Sequence, residues 1–253
     1  MSRILKQILY GALYLAILGV ISAGLYYGFL KPAPSCFDEK LNQEEEEVDC
    51  GGPNCADCAL RRLAPISSSV QFFGVDGRTT IFARLQNPNL NYGASVLDYK
   101  IRFFDGAGSL VATIDDSTFI YPGEIKAIVI PGQELSPASI ARAELEVGDT
   151  TWVKAANFSR PPADTREIST QPEGLGIAVT GVVQNKNLFG LDRANLSAVI
   201  SNRNGFFVNA SKTFVADLAP REERFFKIFI PVSKDELPTI DPSRTQVYLE
   251  IIK

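Results

Sequence analysis

The first pattern along the chain is a run without charged residues from Ile8 to Leu30, dominated by Leu, Ile, Val, Ala, Gly, Tyr and Phe. As a helix these residues span about 34 Å, which exceeds the roughly 30 Å of a membrane's hydrocarbon core. A cleaved signal peptide is the alternative, but its apolar region is only about 7–15 residues long. The pattern predicts an uncleaved transmembrane helix over 8–30, preceded by a short tail over 1–7.

Charges on the two sides of this run predict its orientation. Arg3 and Lys6 precede it, whereas the juxtamembrane segment 31–64 contains Asp38, Glu39 and a run of glutamates. Cationic flanks stay on the cytoplasmic side of a membrane. We therefore expect a single-pass protein of the cell membrane, with its N-terminus in the cytoplasm and its C-terminus outside the cytoplasm.

Beyond residue 65, apolar and polar residues alternate with a period of two between short turn sequences. Examples are Arg78 to Leu85, Val96 to Phe104 and Ile125 to Ile130, separated by turns rich in Asn, Asp, Gly and Pro. Period-two alternation is typical of β-strands with one buried face. Many short strands joined by such turns predict an all-β fold built from β-sandwiches.

Two copies of one pattern occupy this region, because the same turn sequences return in the same order after 98 residues. The matching runs are Gln86-Asn87-Pro88-Asn89-Leu90 with Gln184-Asn185-Lys186-Asn187-Leu188, and Pro122-Gly123-Glu124 with Pro220-Arg221-Glu222. Leu145-Glu146-Val147 also resembles Leu249-Glu250-Ile251. We expect tandem sandwiches over 66–156 and 174–253, each able to fold alone, joined by a semi-stiff proline-containing linker over 157–173.

The amino-acid composition excludes several classes of function. The 253 residues contain no histidine, which excludes Ser-His-Asp and Cys-His catalysis and histidine-ligated metals. The net charge of −4 gives no basic surface for nucleic acid. An enzyme would need a pair of Asp or Glu residues in a cleft, so a carboxylate-dependent hydrolase is the least favoured interpretation.

The four cysteines, Cys36, Cys50, Cys55 and Cys58, lie in one short segment. Clustered cysteines in an even number, on the exported side of a membrane, favour two disulfide bonds. The sequence leaves three connectivities open. The alternatives are a zinc site, which the wide spacing of the first pair disfavours, and a redox motif, which would need a βαβ context.

Oxygen ligands surround these cysteines. Asp38, Asn42, Glu45 and Asp49 could direct hard oxygen donors at Ca²⁺, which takes six to eight of them. The alternative interpretation, which we favour, is a solvated acidic loop stabilised by the disulfides. Calcium is thus the one cofactor that the sequence suggests, and otherwise we expect none.

Two resemblances follow from these motifs. The segment resembles a cysteine motif of bacterial surface proteins, C-x-D-G-x-x-N-x-x-E-x-x-x-D-C-G-G-x-C-x-x-C, with one extra residue before Cys55 and with Glu39 in place of the motif's glycine. The run from Asp98 to Ala112, followed by Tyr121-Pro122-Gly123-Glu124, resembles FxLYD-type domains, which are small immunoglobulin-like sandwiches of bacterial envelope proteins. In the second copy, the run from Ser201 to Gly205 replaces the acidic turn.

Together these features lead to one functional expectation and two alternatives. We expect a membrane-anchored envelope protein that is not an enzyme, and that displays two immunoglobulin-like domains to an extracytoplasmic protein or polymer. A calcium-responsive spacer or adhesion element is the first alternative, and the carboxylate-dependent hydrolase is the second. The resemblances imply an immunoglobulin-like fold and an envelope location, and they imply no reaction.

Overall fold

The chain divides into two compact units, residues 1–63 and residues 64–253. The structure is a computed structural model that describes residues 3–30 and 35–252. The start of the predicted tail, the four residues after the apolar run and the last residue lie outside these ranges.

The first unit contains the helix α1, Arg3–Leu25, which continues as a π-helical turn over Tyr26–Leu30. The stretch Lys6–Phe29 has a mean hydropathy of 2.1 and is long and apolar enough to cross a membrane, a test that a signal sequence would also pass. The predicted apolar helix is therefore confirmed, and its orientation stays a prediction. The unit ends with a short 3₁₀ helix at Cys58–Arg62.

The described part of the second unit consists of twelve strands. Their bounds are β1 Ser67–Val75, β2 Arg78–Gln86, β3 Tyr92–Phe104, β4 Leu110–Ile120, β5 Ile125–Gln133, β6 Arg142–Lys154, β7 Ala163–Pro172, β8 Gly176–Asn185, β9 Leu191–Asn202, β10 Phe207–Leu218, β11 Glu223–Pro231 and β12 Ile240–Ile252. Short 3₁₀ helices at Pro137–Ser139 and Leu237–Thr239 precede β6 and β12. All strand pairs are antiparallel.

These strands form four three-stranded sheets, two from the first repeat (β1–β6) and two from the second repeat (β7–β12). Their orders are β1-β2-β5 and β4-β3-β6, then β7-β8-β11 and β10-β9-β12. The second pair of orders is the first pair with six added to every strand number. Each repeat buries an apolar core between its two sheets. The expected all-β fold with an N-terminal helix is confirmed.

The turns that suggested a duplication have the same hydrogen bonds in both repeats. Asn87 and Asn185 are buried, and their side-chain amides donate to the carbonyls of Tyr121 at 3.1 Å and Ala219 at 2.9 Å. Each also accepts, through Oδ1, the backbone N–H of the residue two positions later. A buried amide that satisfies the carbonyls of a neighbouring loop explains why asparagine occurs at both positions.

The turn that seemed to differ between the repeats has one geometry. Asp105 Oδ1 accepts the N–H of Ser109 at 2.8 Å, and Asn202 Oδ1 accepts the N–H of Phe206 at 3.1 Å. Asn and Asp form this turn equally well, because the bond requires only a side-chain oxygen one carbon from Cβ.

The proposed linker over 157–173 is wrong as a linker, because it contains the strand β7. Residues of β7 pair with β8 from Ala163 opposite Asn185 to Pro172 opposite Ile177. β7 is an edge strand of its sheet, where a terminal proline leaves no ladder hydrogen bond unmade. Pro161 and Pro162 precede the strand, so the connector between the repeats is much shorter than expected.

The third sequence match is wrong by two residues. Ile101 of β3 and Ala198 of β9 are equivalent, because they stand at the same distance before the turns that follow these strands. Leu145 pairs with Ile101, and Val247 pairs with Ala198. Leu145 therefore corresponds to Val247 and not to Leu249. Since side chains two residues apart lie on the same face of a strand, the apolar pattern alone could not fix this register.

Candidate functional site

The two repeats pack against each other through a shared apolar cluster. It joins the outer face of β1-β2-β5, with Phe82 and Val129, to the outer face of β10-β9-β12, with Val199 and Ala210, and all four residues are buried. The Phe82 ring lies edge-on to Phe207, with centroids 5.4 Å apart. The exported body predicted from the sequence is therefore a single packed body and not two independent domains on a linker.

A buried ion pair lies at the margin of this cluster. The Lys126 ammonium is 2.9 Å from Glu250 of the second repeat, and only 1% of the Lys126 side chain is exposed. The ammonium also lies 3.5 Å from the centroid of the Phe119 ring, and Asn195 donates to the other Glu250 oxygen at 2.9 Å. Burial lowers the pKa of Lys126, and the Glu250 carboxylate opposes this shift. Such a pair fixes the register of the two repeats, since a displaced partner would leave a buried charge.

Two equivalent glutamates have pKa values shifted in opposite directions. Glu124 is buried and accepts the N–H of Tyr121 at 2.7 Å, and burial raises its pKa. Glu222 accepts the N–H of Ala219 at 2.7 Å, and this bond, with that from Arg224, lowers its pKa. The two pKa shifts differ because the second repeat covers the turn that contains Glu124, whereas the equivalent turn with Glu222 is not covered.

Glutamine at these two positions should change the pH dependence of stability with opposite signs. Because folding raises the pKa of Glu124, the folded state binds the proton more tightly, and stability falls as pH rises from 4.5 through the raised value. Because folding lowers the pKa of Glu222, its stabilisation is present above 4.5 and is lost as pH falls.

Urea unfolding of the wild type, Glu124→Gln and Glu222→Gln between about pH 3 and pH 7 checks this prediction. The advantage of the wild type over Glu124→Gln should shrink as pH rises, and its advantage over Glu222→Gln should grow. Slopes of the same sign would contradict the assigned environments.

The outer face of the β4-β3-β6 sheet forms an acid-rich face around an open cavity of about 620 Å³. Five exposed carboxylates and two cations line it, namely Asp98, Asp115, Asp116, Glu146, Asp149, Lys100 and Arg102. Lys100 pairs with Asp115 at 3.1 Å, and Arg102 pairs with Glu146. Exposed carboxylates in water suit electrostatic recognition, whereas acid–base catalysis by a carboxyl uses burial to shift its pKa.

At one edge of this cavity, Tyr99 is buried under the sheet and donates its hydroxyl to Asp116 at 3.1 Å. Burial and the neighbouring Asp116 charge raise the pKa of Tyr99. The hydroxyl therefore stays protonated and serves as a hydrogen-bond donor, not as a base. The sequence marked the run from Asp98 to Ala112 only as a fold motif, and alternate charges along β3 were the signal for this face.

The cysteine segment contains the two expected disulfides, Cys36–Cys55 and Cys50–Cys58. This connectivity resolves the three alternatives that the sequence left open. All four sulfurs are consumed in these bonds, so they are not available as thiolate ligands for zinc or as a redox dithiol.

The four residues proposed to bind calcium form a closed ring of hydrogen bonds. Asp49 Oδ1 accepts the N–H of Asp38 at 3.0 Å, and the Asp38 carboxylate accepts the Asn42 amide at 3.0 Å. Glu45 Oε2 accepts the N–H groups of Asn42 at 3.2 Å and Asp49 at 3.1 Å. The sequence thus selected residues that do come together, but their oxygens mainly accept backbone hydrogen bonds. The spacing of the motif is explained by this loop, and Asn42 Oδ1 is left buried without a partner.

The glycines of the motif are required by close contacts with neighbouring atoms, and the residue that replaces the missing glycine has a positive φ. A Cβ on Gly52 would lie 2.4 Å from the Glu44 carbonyl oxygen, and one on Gly51 would lie 2.7 Å from Glu46 Cβ. Glu39, which occupies the motif's glycine position, has a φ of +57°. The tight turn is therefore kept with a residue that rarely adopts this conformation.

Comparisons with known proteins add little to this geometry. Neither a protein-family model nor a curated protein matches the chain. Among solved structures, the chain is similar to the crystal structure of red sea bream transglutaminase, with 12% identity and a TM-score of 0.27 over 77% of this chain. The chain spans 32% of that protein's length, and so low a similarity carries no argument.

Proposed function

We propose that this protein is a non-enzymatic scaffold of the cell membrane, anchored by α1, whose two sandwiches act as one rigid body outside the cytoplasm. The observation that carries the proposal is the face shared by the repeats. Phe82, Val199 and the Lys126–Glu250 pair fix the relative orientation of the repeats. A body of fixed shape presents its surfaces at a constant spacing, which a scaffold for a protein or polymer partner requires.

The acid-rich face is the surface best suited to such a partner. Its carboxylates outnumber its cations and are solvent-exposed. A partner with a cationic surface would be steered towards this face, with an on-rate that falls as salt rises. The calcium-responsive alternative has less support, because the oxygens of Asp38, Glu45 and Asp49 already accept hydrogen bonds within the loop.

The rigidity of the two-repeat body tests the proposal. Spin labels on cysteines introduced at Ala107 and Asn204 place one probe in the equivalent exposed turn of each repeat, and the native cysteines are already paired. In the full chain reconstituted in lipid, pulsed dipolar spectroscopy should give one narrow distance distribution. The matched variant Val199→Asp, which places a charge in the buried face, should broaden it. A wild-type distribution as broad as that of the variant would contradict a rigid scaffold.

A further inference from the structure

Three side chains at the junction of the repeats bring an amine, a carboxyl group and a primary amide together. Lys126 comes from β5 of the first repeat, and Asn195 and Glu250 stand opposite each other on β9 and β12 of the second repeat. One Glu250 oxygen lies 2.9 Å from the Lys126 ammonium, and the other accepts the Asn195 amide at 2.9 Å. The two nitrogens are therefore held side by side by a single carboxylate.

The amine of this group is enclosed by the two repeats. Lys126 is the only buried lysine among the residues that the structure describes, and its ammonium lies 3.5 Å from the centroid of the Phe119 ring. Lys126, Asn195 and Glu250 all line a cavity of about 20 Å³, which has room for about one water molecule. Little water therefore competes with the amine for the neighbouring amide.

Burial favours the nucleophilic form of this amine. It lowers the pKa of Lys126, against the opposing effect of the Glu250 and Glu124 carboxylates. Burial disfavours both charges of an ion pair, so a proton can move from the ammonium to the carboxylate without leaving an unpaired charge. The result is a neutral amine, which is the nucleophilic form of lysine, beside a carboxylic acid.

We propose that Lys126 and Asn195 form an amide bond in the folded chain, with Glu250 as the proton carrier, so that the two repeats become covalently joined. After a half-turn of the Asn195 amide, its oxygen takes the position of Nδ2 and accepts the Glu250 proton, while the Lys126 amine attacks Cγ. The Nζ–Cγ bond forms and the Cγ–Nδ2 bond breaks. Nδ2 leaves with two protons of the lysine ammonium as an ammonium ion, and Glu250 regains its charge. No oxidant, cofactor or other co-reactant takes part.

A similar set of groups in the second repeat supplies a matched control. The Gln184 amide donates to Glu223 at 2.8 Å, and the Arg166 guanidinium lies 3.4 Å from the same carboxylate oxygen. The Arg166 and Glu223 side chains are 48% and 51% exposed, and a guanidinium stays protonated. Arg166→Lys places an amine in this set but leaves it in water, so it should form no bond to Gln184 and should leave the bond at Lys126 intact.

This bond goes beyond the proposed scaffold, because the shared face already orients the repeats without it. It forms once in each chain and turns over no substrate, so the protein remains non-enzymatic. The effects of the ion pair itself on stability belong to the unreacted chain, and the Asn195→Ala background, in which the bond cannot form, isolates them.

Mass spectrometry of the purified full chain tests the bond. The wild type should weigh about 17 Da less than its sequence with two disulfides, which is the mass of one lost ammonia. After reduction and trypsin digestion, residues 103–142 should be joined to residues 194–203, because trypsin no longer cuts after Lys126. Asn195→Ala, which lacks the amide, and Glu250→Gln, which lacks the proton carrier, should each keep the full mass of their own sequence.

Three results would overturn the proposal. The first is a folded wild type at its full mass. The second is the same loss of mass without the joined peptides, as ring closure at Asn204-Gly205 would give. The third is a Glu250→Gln chain that still forms the bond, which would exclude the carboxyl as proton carrier. Narrow spin-label distances in any of these cases would leave the rigid scaffold intact, so failure of the bond and failure of the scaffold are distinguishable.

Discussion

Replacing Phe82 by alanine is expected to lower the free energy of unfolding by about 3–5 kcal/mol, the usual cost of removing a buried aromatic side chain. The ring is 3% exposed, and its centroid lies 5.4 Å from that of Phe207 and 6.1 Å from that of Tyr248. Both ring contacts lie between the repeats, because Phe82 is on the outer face of β2 and the other two rings belong to the second repeat. Urea unfolding of the full chain in detergent, followed by circular dichroism, should therefore show both a lower midpoint and a less cooperative transition.

Phe225→Ala is the matched control for this substitution. It removes the same atoms from the equivalent face of the second repeat, but its ring is 62% exposed. In dilute, monomeric protein its effect should stay within about 0.5 kcal/mol. Equal losses from the two variants would show that the inter-repeat face does not stabilise the fold.

The local features of this fold could be predicted from the sequence, because they depend on residues close together in the chain. Asn87 and Asn185 were identified as equivalent turn residues, and both make the same side-chain bonds to neighbouring loops. The apolar helix was predicted for a similar reason, since a long uncharged run defines it without tertiary context.

The edge strand β7 was missed because its sequence lacks a strand signal. Ala163–Pro172 is mostly polar and has prolines on both sides, which favoured a linker. A strand at a sheet edge has one neighbouring strand and one weakly buried face. The conformation of β7 is therefore determined by its hydrogen bonds to β8 and not by an apolar pattern of its own.

The shared face between the repeats was missed although it left a signal. In β2, five consecutive residues from Thr79 to Ala83 are buried, and in β9 six consecutive residues from Leu196 to Ser201 are buried. A strand covered on both faces shows a nearly continuous run of apolar or small residues in place of alternation. The run in β2 was interpreted as a strand with one buried face, and that interpretation led to two independent domains.

The candidate calcium site shows what spacing can and cannot predict. The positions of Asp38, Asn42, Glu45 and Asp49 predicted that their side chains converge, and they do. Whether an oxygen faces a cation or a backbone N–H depends on loop geometry, which the three possible disulfide pairings left undetermined.

Replacing Glu250 by alanine is expected to lower the free energy of unfolding by about 3–5 kcal/mol, because it leaves the buried Lys126 ammonium without its carboxylate. The loss should be largest at neutral pH. Burial already holds the pKa of Lys126 below its ordinary 10.5, and without Glu250 it should fall further. At a pH between the folded-state and unfolded-state pKa of Lys126, the unfolded chain binds more protons than the folded chain. The stability of Glu250→Ala should therefore rise with pH more steeply than that of the wild type.

The double variant Lys126→Met, Glu250→Leu separates the cost of an unpaired charge from the net contribution of the pair. Apolar side chains of similar volume remove both charges together, so this variant should lie within about 1 kcal/mol of the wild type or be more stable. Arg224→Met is the matched control, since Arg224 donates to the Asp217 carbonyl as Lys126 donates to that of Phe119, but its side chain is 40% exposed. Its cost should be about 1 kcal/mol or less. A double variant as unstable as Glu250→Ala would mean that the ion pair itself stabilises the junction, and that burial of Lys126 is not what makes Glu250 necessary.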